Sequence, residues 1–377
     1  MLGSTATASQ GDIGYINKNN TLTADQQSLR LMLEESFKDG QWSFHVKSAR
    51  IHLTDILYSS EHSSDLFRYK KLSSNWLEEK ESNNTTVMGY DVDRAVFQQR
   101  FKKTTLSLGR QAIDWGSGRF WQPLNVLGSF APTDLDTDYK PGIDAARLDW
   151  FPSNFSSLTA VYAASPNDNA TVDKTTNAVV HYKSQLGKES EFSLLAGGVI
   201  GNRVLGASFE STWSGVGWRV EALQTKFKTN NENTFFWIAG LDYQFTNGTL
   251  LTAEWYDNSR GATSETELGT LQIDSYIKYG LQQQLSRNVL GLSISKELSP
   301  LLSGGYTLLT SPLKNTDAKL TTSLLHQINL TYSVSNESDI LFAFQSATGK
   351  GLSSLGKIQS EFGHIPANLT IRLRFYF

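Results

Sequence analysis

The sequence predicts an all-β protein, a single transmembrane antiparallel β-barrel of about 18 strands, with about 16 strands as the alternative count. Three observations on the 377 residues lead to this fold class. Apolar and polar residues alternate in segments of about 9–14 residues, as expected for strands with one apolar and one polar face. Short connections recur between these segments, and several of the other connections are long. No run of about 18 apolar residues occurs, so the pattern contains no transmembrane helix.

The clearest single strand is formed by the last nine residues, 369–377, which read LTIRLRFYF. Leu369, Ile371 and Leu373 share one face with Phe375 and Phe377, and polar residues occupy the other face. This segment resembles the C-terminal strand of Gram-negative outer-membrane β-barrels, which ends in phenylalanine. The resemblance implies a location in the bacterial outer membrane, with the lipid bilayer and lipopolysaccharide as partners. It also implies that the barrel-assembly machinery recognises Phe377.

Hairpins account for most of the chain. The turn at 38–41 contains Asp39-Gly40, a strong hairpin signal, between the alternating segments 29–34 and 42–47. A stripe of six apolar residues runs from Phe235 to Phe245, and Asn247-Gly248 turns it into the next strand. Such repeated hairpins predict a meander of neighbouring antiparallel strands.

Connection lengths predict the orientation of the barrel, because outer-membrane barrels have short periplasmic turns and long extracellular loops. The short connections lie near 38–41, 102–104, 152–154, 185–189, 214–217, 246–248, 298–301 and 333–338. The long connections cover roughly 55–86, 114–141, 165–174, 259–286 and 350–362. If the first turn, at 38–41, is periplasmic, one more strand must precede the strand that leads into it. We expect residues 13–17 to form that extra strand. The predicted organisation is a cloning scar and flexible N-terminus at 1–12, followed by the barrel at 13–377.

Composition excludes several function classes. The net charge of −3 does not favour nucleic acid as a partner. The chain has no cysteine, which excludes a covalently attached c-type haem, and no other cofactor is indicated. The six histidines are scattered, and no G-x-S-x-G nucleophile motif occurs. We therefore expect no enzyme.

The polar face of the alternating strands predicts the lining of the lumen. Both signs of charge are present in similar numbers. Such a lining predicts either weak ion selectivity or salt bridges that brace the wall. The predicted pore-lining residues are Arg30, Glu34, His45, Lys47, Arg147, Asp149, Glu210, Arg219, Glu221, Asp242, Glu254, Arg372 and Arg374.

The connection at about 114–141 is the densest in aromatic, glycine and proline residues. Its apolar side chains require burial, which an exposed extracellular loop does not provide. We expect this loop to fold into the barrel and narrow it; packing against neighbouring loops above the membrane is the alternative. The predicted constriction residues are Trp115, Arg119, Phe120, Trp121, Asp134, Asp136 and Asp138. The three aspartates alternate in sequence and also form a calcium candidate, although they lack the closing glutamate of an EF-hand.

The segment 109–118 reads G-R-Q-A-I-D-W-G-S-G. This pattern resembles a group of porin-like outer-membrane proteins in the style of the 18-stranded alginate-export barrels. The resemblance covers some 40 residues and the strand plan. It implies a channel but no substrate, since alginate exporters have a strongly basic constriction and the lumen predicted here is mixed.

These observations favour a passive or weakly selective outer-membrane channel for small solutes. A barrel that sheathes a periplasmic or surface partner, such as a multihaem cytochrome, is one alternative. A substrate-specific saccharide transporter, with aromatic side chains as stacking platforms, is another.

Overall fold

The computed structural model describes residues 2–10, 21–53, 63–70, 72–81, 84–128, 139–166, 177–228, 230–271 and 274–377. Strands dominate it. They are β1 (Leu2–Gln10), β2 (Thr21–Phe37), β3 (Gly40–Leu53), β4 (Ser73–Glu81), β5 (Asn84–Phe101), β6 (Thr104–Gln111), β7 (Ile143–Ser153), β8 (Ser156–Ala163), β9 (Asn177–Leu186), β10 (Ser190–Val199), β11 (Asn202–Trp213), β12 (Val216–Lys226), β13 (Asn233–Gln244), β14 (Leu250–Asn258), β15 (Asn288–Ser299), β16 (Leu302–Lys314), β17 (Leu320–Ser335), β18 (Ser338–Thr348) and β19 (Ala367–Phe375). Helices are short: a 3-10 turn at Ser63–Phe67, α1 (Glu265–Leu271) and α2 (Ser275–Lys278). No helix in the described residues is long and apolar enough to cross a membrane.

The strand pairings close into a ring. Strand β1 pairs with β2 on one side and with β19 on the other, and β3 pairs with β5. Every other strand from β5 to β19 pairs with its neighbours in the chain, always antiparallel. Strand β4 stays outside the ring, since it pairs only with β5 residues 84–91, beyond the stretch that pairs with β6. Eighteen of the nineteen described strands therefore form the barrel, and the predicted fold class and strand count are confirmed.

The N-terminal part of the ring differs from the prediction. Residues 1–12 were expected to be a flexible leader, yet Leu2–Gln10 forms β1 and closes the barrel. Its sequence, LGSTATASQ, contains small and polar residues, so it carries almost no apolar alternation that could mark it as a strand. The segment 13–17, for which a strand was expected, lies outside the described residues.

Connections at the two ends of the barrel differ as predicted. Eight hairpins with two to five connecting residues define the short-turn end, at 38–39, 102–103, 154–155, 187–189, 214–215, 245–249, 300–301 and 336–337. Three of the long connections lie at the opposite, long-loop end. We call them loop A (112–142), loop B (259–287) and loop C (349–366). The predicted short turns at one end are confirmed, and the opposite end contains the long connections together with short ones at 200–201 and 315–319.

The outer surface is apolar and the inner surface carries the polar groups. On β2, Leu31 and Leu33 are 49% and 46% exposed on the outer face, whereas Arg30 between such positions is only 7% exposed. This inversion of a soluble protein's pattern is what a barrel in lipid requires. Outward-facing aromatic residues also gather at the short-turn end, where Trp213 is 79% exposed and Trp150 is 47% exposed. Such belts are typical of membrane interfaces.

Candidate functional site

Loop A begins at the motif that the sequence analysis singled out. Gly109 has a φ of 116°, and a Cβ at this position would collide with the backbone oxygen of Ala95. Arg110 is almost fully buried and forms a bidentate ion pair with Asp144 at 2.7 and 3.0 Å. Its Nη1 also donates to the carbonyl of Val92 at 2.7 Å. The first residues of the motif therefore join the start of loop A to the strand that follows it.

A carboxylate on β12 binds one part of loop A. Glu221 is fully buried on the inner wall. The N–H and hydroxyl of Ser117 donate to its Oε2 at 2.7 and 2.9 Å, and the N–H of Leu124 donates to its Oε1 at 2.5 Å. Both ends of the turn 117–124 are thus fixed to one side chain.

A second carboxylate, on β14, binds the middle of the same turn. Glu254 is 1% exposed. The backbone N–H of Arg119 donates to its Oε2 at 2.9 Å, and those of Phe120 and Trp121 donate to its Oε1 at 3.0 Å each. We call Glu221 and Glu254 the carboxylate clamp. Together they receive six hydrogen bonds from loop A, five of them from backbone N–H groups.

Apolar packing completes the attachment of loop A. Leu124, Val126 and Leu127 are at most 3% exposed and belong to the same apolar cluster as inner-wall residues of β8–β12. The wall leaves room for them: a Cβ on Gly206 of β11 would collide with the Leu124 side chain. On the other flank, Phe120 occupies the space over Gly291, where a Cβ would meet its ring at 2.6 Å. The described part of loop A therefore lies within the barrel.

Next to the clamp lies a cluster of opposite charges. Arg219 forms an ion pair with Asp242, and its Nη1 lies 3.7 Å from Oε2 of Glu254. Arg119 of loop A is 3.3 Å from the same aspartate, but its side chain is 58% exposed. Among the predicted constriction residues that the structure describes, Arg119 thus keeps a charged side chain that is more than half exposed. Trp121 is fully buried, and Trp115 stacks on His181.

Most of the other predicted pore-lining residues are paired along the wall. Arg30 pairs with Asp93, His45 contacts Glu34 at 2.8 Å, and Arg374 contacts Asp339 at 3.0 Å. Arg147 lies 2.9 Å from Asp149, whose carboxylate also accepts the hydroxyl of Thr159. The structure therefore does not bring the thirteen predicted residues together. The remaining members, Lys47, Glu210 and Arg372, are partly exposed on their strands.

Loops B and C are connected to loop A. The backbone N–H of Gln122 donates to the side-chain oxygen of Gln283 at 3.1 Å. In return, the side-chain nitrogen of Gln283 donates to the backbone carbonyl of Gln122 at 3.1 Å. Glu361 of loop C accepts the N–H groups of Leu285 and Ser286 in loop B, at 3.0 and 2.6 Å. Burial raises the pKa of Glu361, and those two hydrogen bonds oppose the rise. The roles of the Gln283 and Glu361 side chains were not predicted from the sequence, where more than 70 residues separate the partners.

A lysine at the end of loop A is also buried. Lys140 contacts Asp114 at 3.1 Å and donates to Oδ1 of Asn125 at 2.6 Å. Burial lowers its pKa to about 8, although Asp114 partly counteracts this effect. The two described ends of loop A are thus joined by one side chain.

The calcium candidate is the acidic segment 134–138 of loop A. Asp134, Asp136 and Asp138 lie outside the described residues, so their part in a constriction or a cation site stays a prediction. Elsewhere, in the residues that the structure does describe, no group of three or more histidine or acidic side chains is arranged to hold a metal ion.

Comparisons with known proteins identify the fold. No protein-family model matches the chain, and no curated protein matches it. The chain is similar to OccK5 (OpdH) of Pseudomonas aeruginosa, with a TM-score of 0.58 and 8% identity over 99% of this chain and 96% of that one. The outer membrane protein OprD of the same organism matches with a TM-score of 0.56 and 11% identity, covering 99% and 91%. A BenF-like porin of Pseudomonas fluorescens Pf-5 matches with 0.56 and 10%, covering 99% and 97%. At these identities the comparison shows a shared barrel fold.

Proposed function

We propose that the protein is an outer-membrane channel for the diffusion of small solutes, with its short-turn end in the periplasm and its constriction built by loop A. The observation that carries the proposal is the clamp: a loop bound by six hydrogen bonds to the inner wall of a closed barrel. The apolar outer face supports the membrane location. Similarity to OprD, an outer membrane protein, and to a porin adds support at the level of the fold. We propose no catalytic role.

Weak ion selectivity follows from the same arrangement. Charges that pair along the wall cancel most of each other's field, and the clamp carboxylates face backbone N–H groups of loop A. The positive charge of the exposed Arg119 guanidinium is offset by the negative charges of Asp242 and of the partly exposed Glu210. A lumen of this kind favours neither anions nor cations strongly.

A sheath around a cytochrome is less well supported. Loops A, B and C contact one another inside the long-loop half of the barrel, and together they occupy space that a partner would need. A saccharide transporter with stacking platforms is also less well supported, because Trp121 is fully buried and Trp115 already stacks on His181.

Single-channel recording in a planar lipid bilayer tests the proposal. The full chain, refolded into detergent and added to the bilayer, is expected to give steady current steps with weak ion selectivity. Heat-denatured protein is the control. Insertion without any current, shown by protection of the barrel from protease in the same lipid, would contradict a channel and favour a plugged or partner-filled barrel.

A further inference from the structure

Two cations face each other on the outer surface of the barrel. Arg203 of β11 and Lys226 of β12 are directly opposite in the strand register. Both are exposed, and they fall on the same face as the outward-pointing Leu205, which is 60% exposed. Like charges placed directly opposite each other in a sheet repel and destabilise the pairing. An anion bound between them would remove that repulsion.

The height of this pair corresponds to the edge of the hydrocarbon layer. Arg203 is ten positions along β11 from Trp213, the exposed tryptophan at the short-turn end. With a rise of about 3.3 Å per residue and a tilt of about 40°, this separation is about 25 Å along the barrel axis. That is about the height of the apolar band of such barrels. The two cations thus lie where lipid headgroups begin.

The surroundings leave the pair open to the membrane surface. Within the described residues, neither Arg203 nor Lys226 forms an ion pair. Asn233 of β13 is opposite Lys226 in the register and is also exposed, which adds an amide to the same row. The connection between β10 and β11 consists of only two residues, 200–201, so no long loop is attached directly above Arg203.

An apolar groove starts beside this row. It has a volume of about 360 Å³ and lies on the outer wall of β6–β10. Small side chains form its floor, because Ala178, Ala160 and Ala196 alternate with larger neighbours such as Val180. Gly198 of β10 lies between the groove and the cations. It is paired with Arg203 of β11 on one side and with Ala178 of β9 on the other.

We infer that this surface binds a phosphate-bearing lipid of the outer leaflet. The phosphate lies between Arg203 and Lys226, and an acyl chain occupies the alanine groove. A guanidinium and an ammonium are both suited to phosphate oxygens, the first in a bidentate geometry. The inference depends on the barrel lying in a membrane but not on its conducting solutes, so it survives if the channel proposal fails.

Native mass spectrometry of the full chain in neutral detergent, titrated with lipid A, tests the inference. The variant R203Q/K226Q is expected to bind lipid A at least about tenfold more weakly than the wild type, which corresponds to about 1.4 kcal/mol. The matched control is K38Q/K188Q, which removes two exposed lysines from turns at the short-turn end and is expected to bind normally. Heat-dependent gel mobility verifies that each variant is folded. Equal binding by R203Q/K226Q and the wild type, or equal weakening in the control, would overturn the inference.

Two further measurements distinguish binding of a lipid from binding of a free anion. Inorganic phosphate at millimolar concentration is expected to displace little lipid A, because it has no acyl chain for the groove. The folded variant A178L/A196L, which fills the groove and keeps both cations, is expected to weaken lipid A binding. Complete displacement by phosphate, or unchanged binding in A178L/A196L, would overturn the assignment to a lipid.

Discussion

Two parts of the inner wall, β11–β14 and β15–β18, differ in how they can hold a loop. Three charged residues are buried on the first, Arg219, Glu221 and Glu254, whereas the buried polar residues of the second are all serine or glutamine. Loop A is bound to the first wall by hydrogen bonds from its backbone N–H groups to carboxylates. Loop C contributes Phe362, which is buried in an apolar cluster with Leu309 and Leu325 of the second wall; the cluster extends to Phe236, Ile238 and Tyr256 of the first.

The difference shows which part of each attachment depends on sequence. A carboxylate that accepts backbone N–H groups places few demands on the side chains of loop A, so the face toward the lumen can vary. Packing around Phe362 depends on the shape of the side chain itself. We therefore expect the charged wall to set the position of the constriction, and the neutral wall to stabilise loop C.

The largest expected effect comes from removing the clamp. The variant E221A/E254A leaves the loop A donors without their acceptors, and each buried donor left unpaired costs about 1–3 kcal/mol. We expect loop A to leave the wall, so that single-channel currents become larger and noisier than in the wild type.

The matched control for the clamp is E210A. Glu210 is an inner-wall carboxylate on the neighbouring strand β11, and it is only partly buried. We expect E210A to keep the steady wild-type current. Wild-type steps in E221A/E254A would contradict the role of the clamp, as would identical changes in both variants.

A smaller and more local effect is expected on the neutral wall. Truncating a buried aromatic residue such as Phe362 to alanine costs about 3–5 kcal/mol. We expect F362A to make loop C sensitive to limited proteolysis at 349–366 while the current through the channel keeps its wild-type size. L355A, at a position 81% exposed in the same loop, is the control. If F362A increased the single-channel current as much as E221A/E254A, the two walls would not differ in how they affect the channel, and the prediction would be wrong.

The smallest expected effect is a pH dependence from Lys140. Its folded pKa of about 8 is below the ordinary value of 10.5, so the unfolded chain binds more protons between these pH values. Stability against urea should therefore rise from about pH 8 to about pH 10.5 and then level off. Because other groups also titrate, the quantity to measure is the midpoint difference between wild type and K140M. A difference that stays constant over this range would contradict the burial of the charged amine.

Alternation was sufficient to predict the barrel because most of the described strands carry an exposed apolar face toward the lipid. It also placed Arg219, Glu221 and Glu254 on the inner wall. It could not show that the two carboxylates bind loop A, since Ser117 and Glu221 are 104 residues apart and backbone donors leave no mark in the sequence. Strand β1 was missed for a related reason: its stability comes from pairing with β2 and β19 rather than from an apolar stripe of its own.

The most direct test of the account is current block at Arg119, the exposed charge of loop A. The chain has no cysteine, so the variant R119C carries a single thiol. We predict that a membrane-impermeant methanethiosulfonate reagent lowers the single-channel current of R119C, because the added group projects into the constriction. The control K188C, in a turn at the short-turn end, should react without a change in current. Complete labelling of R119C with an unchanged current would contradict the placement of loop A in the channel.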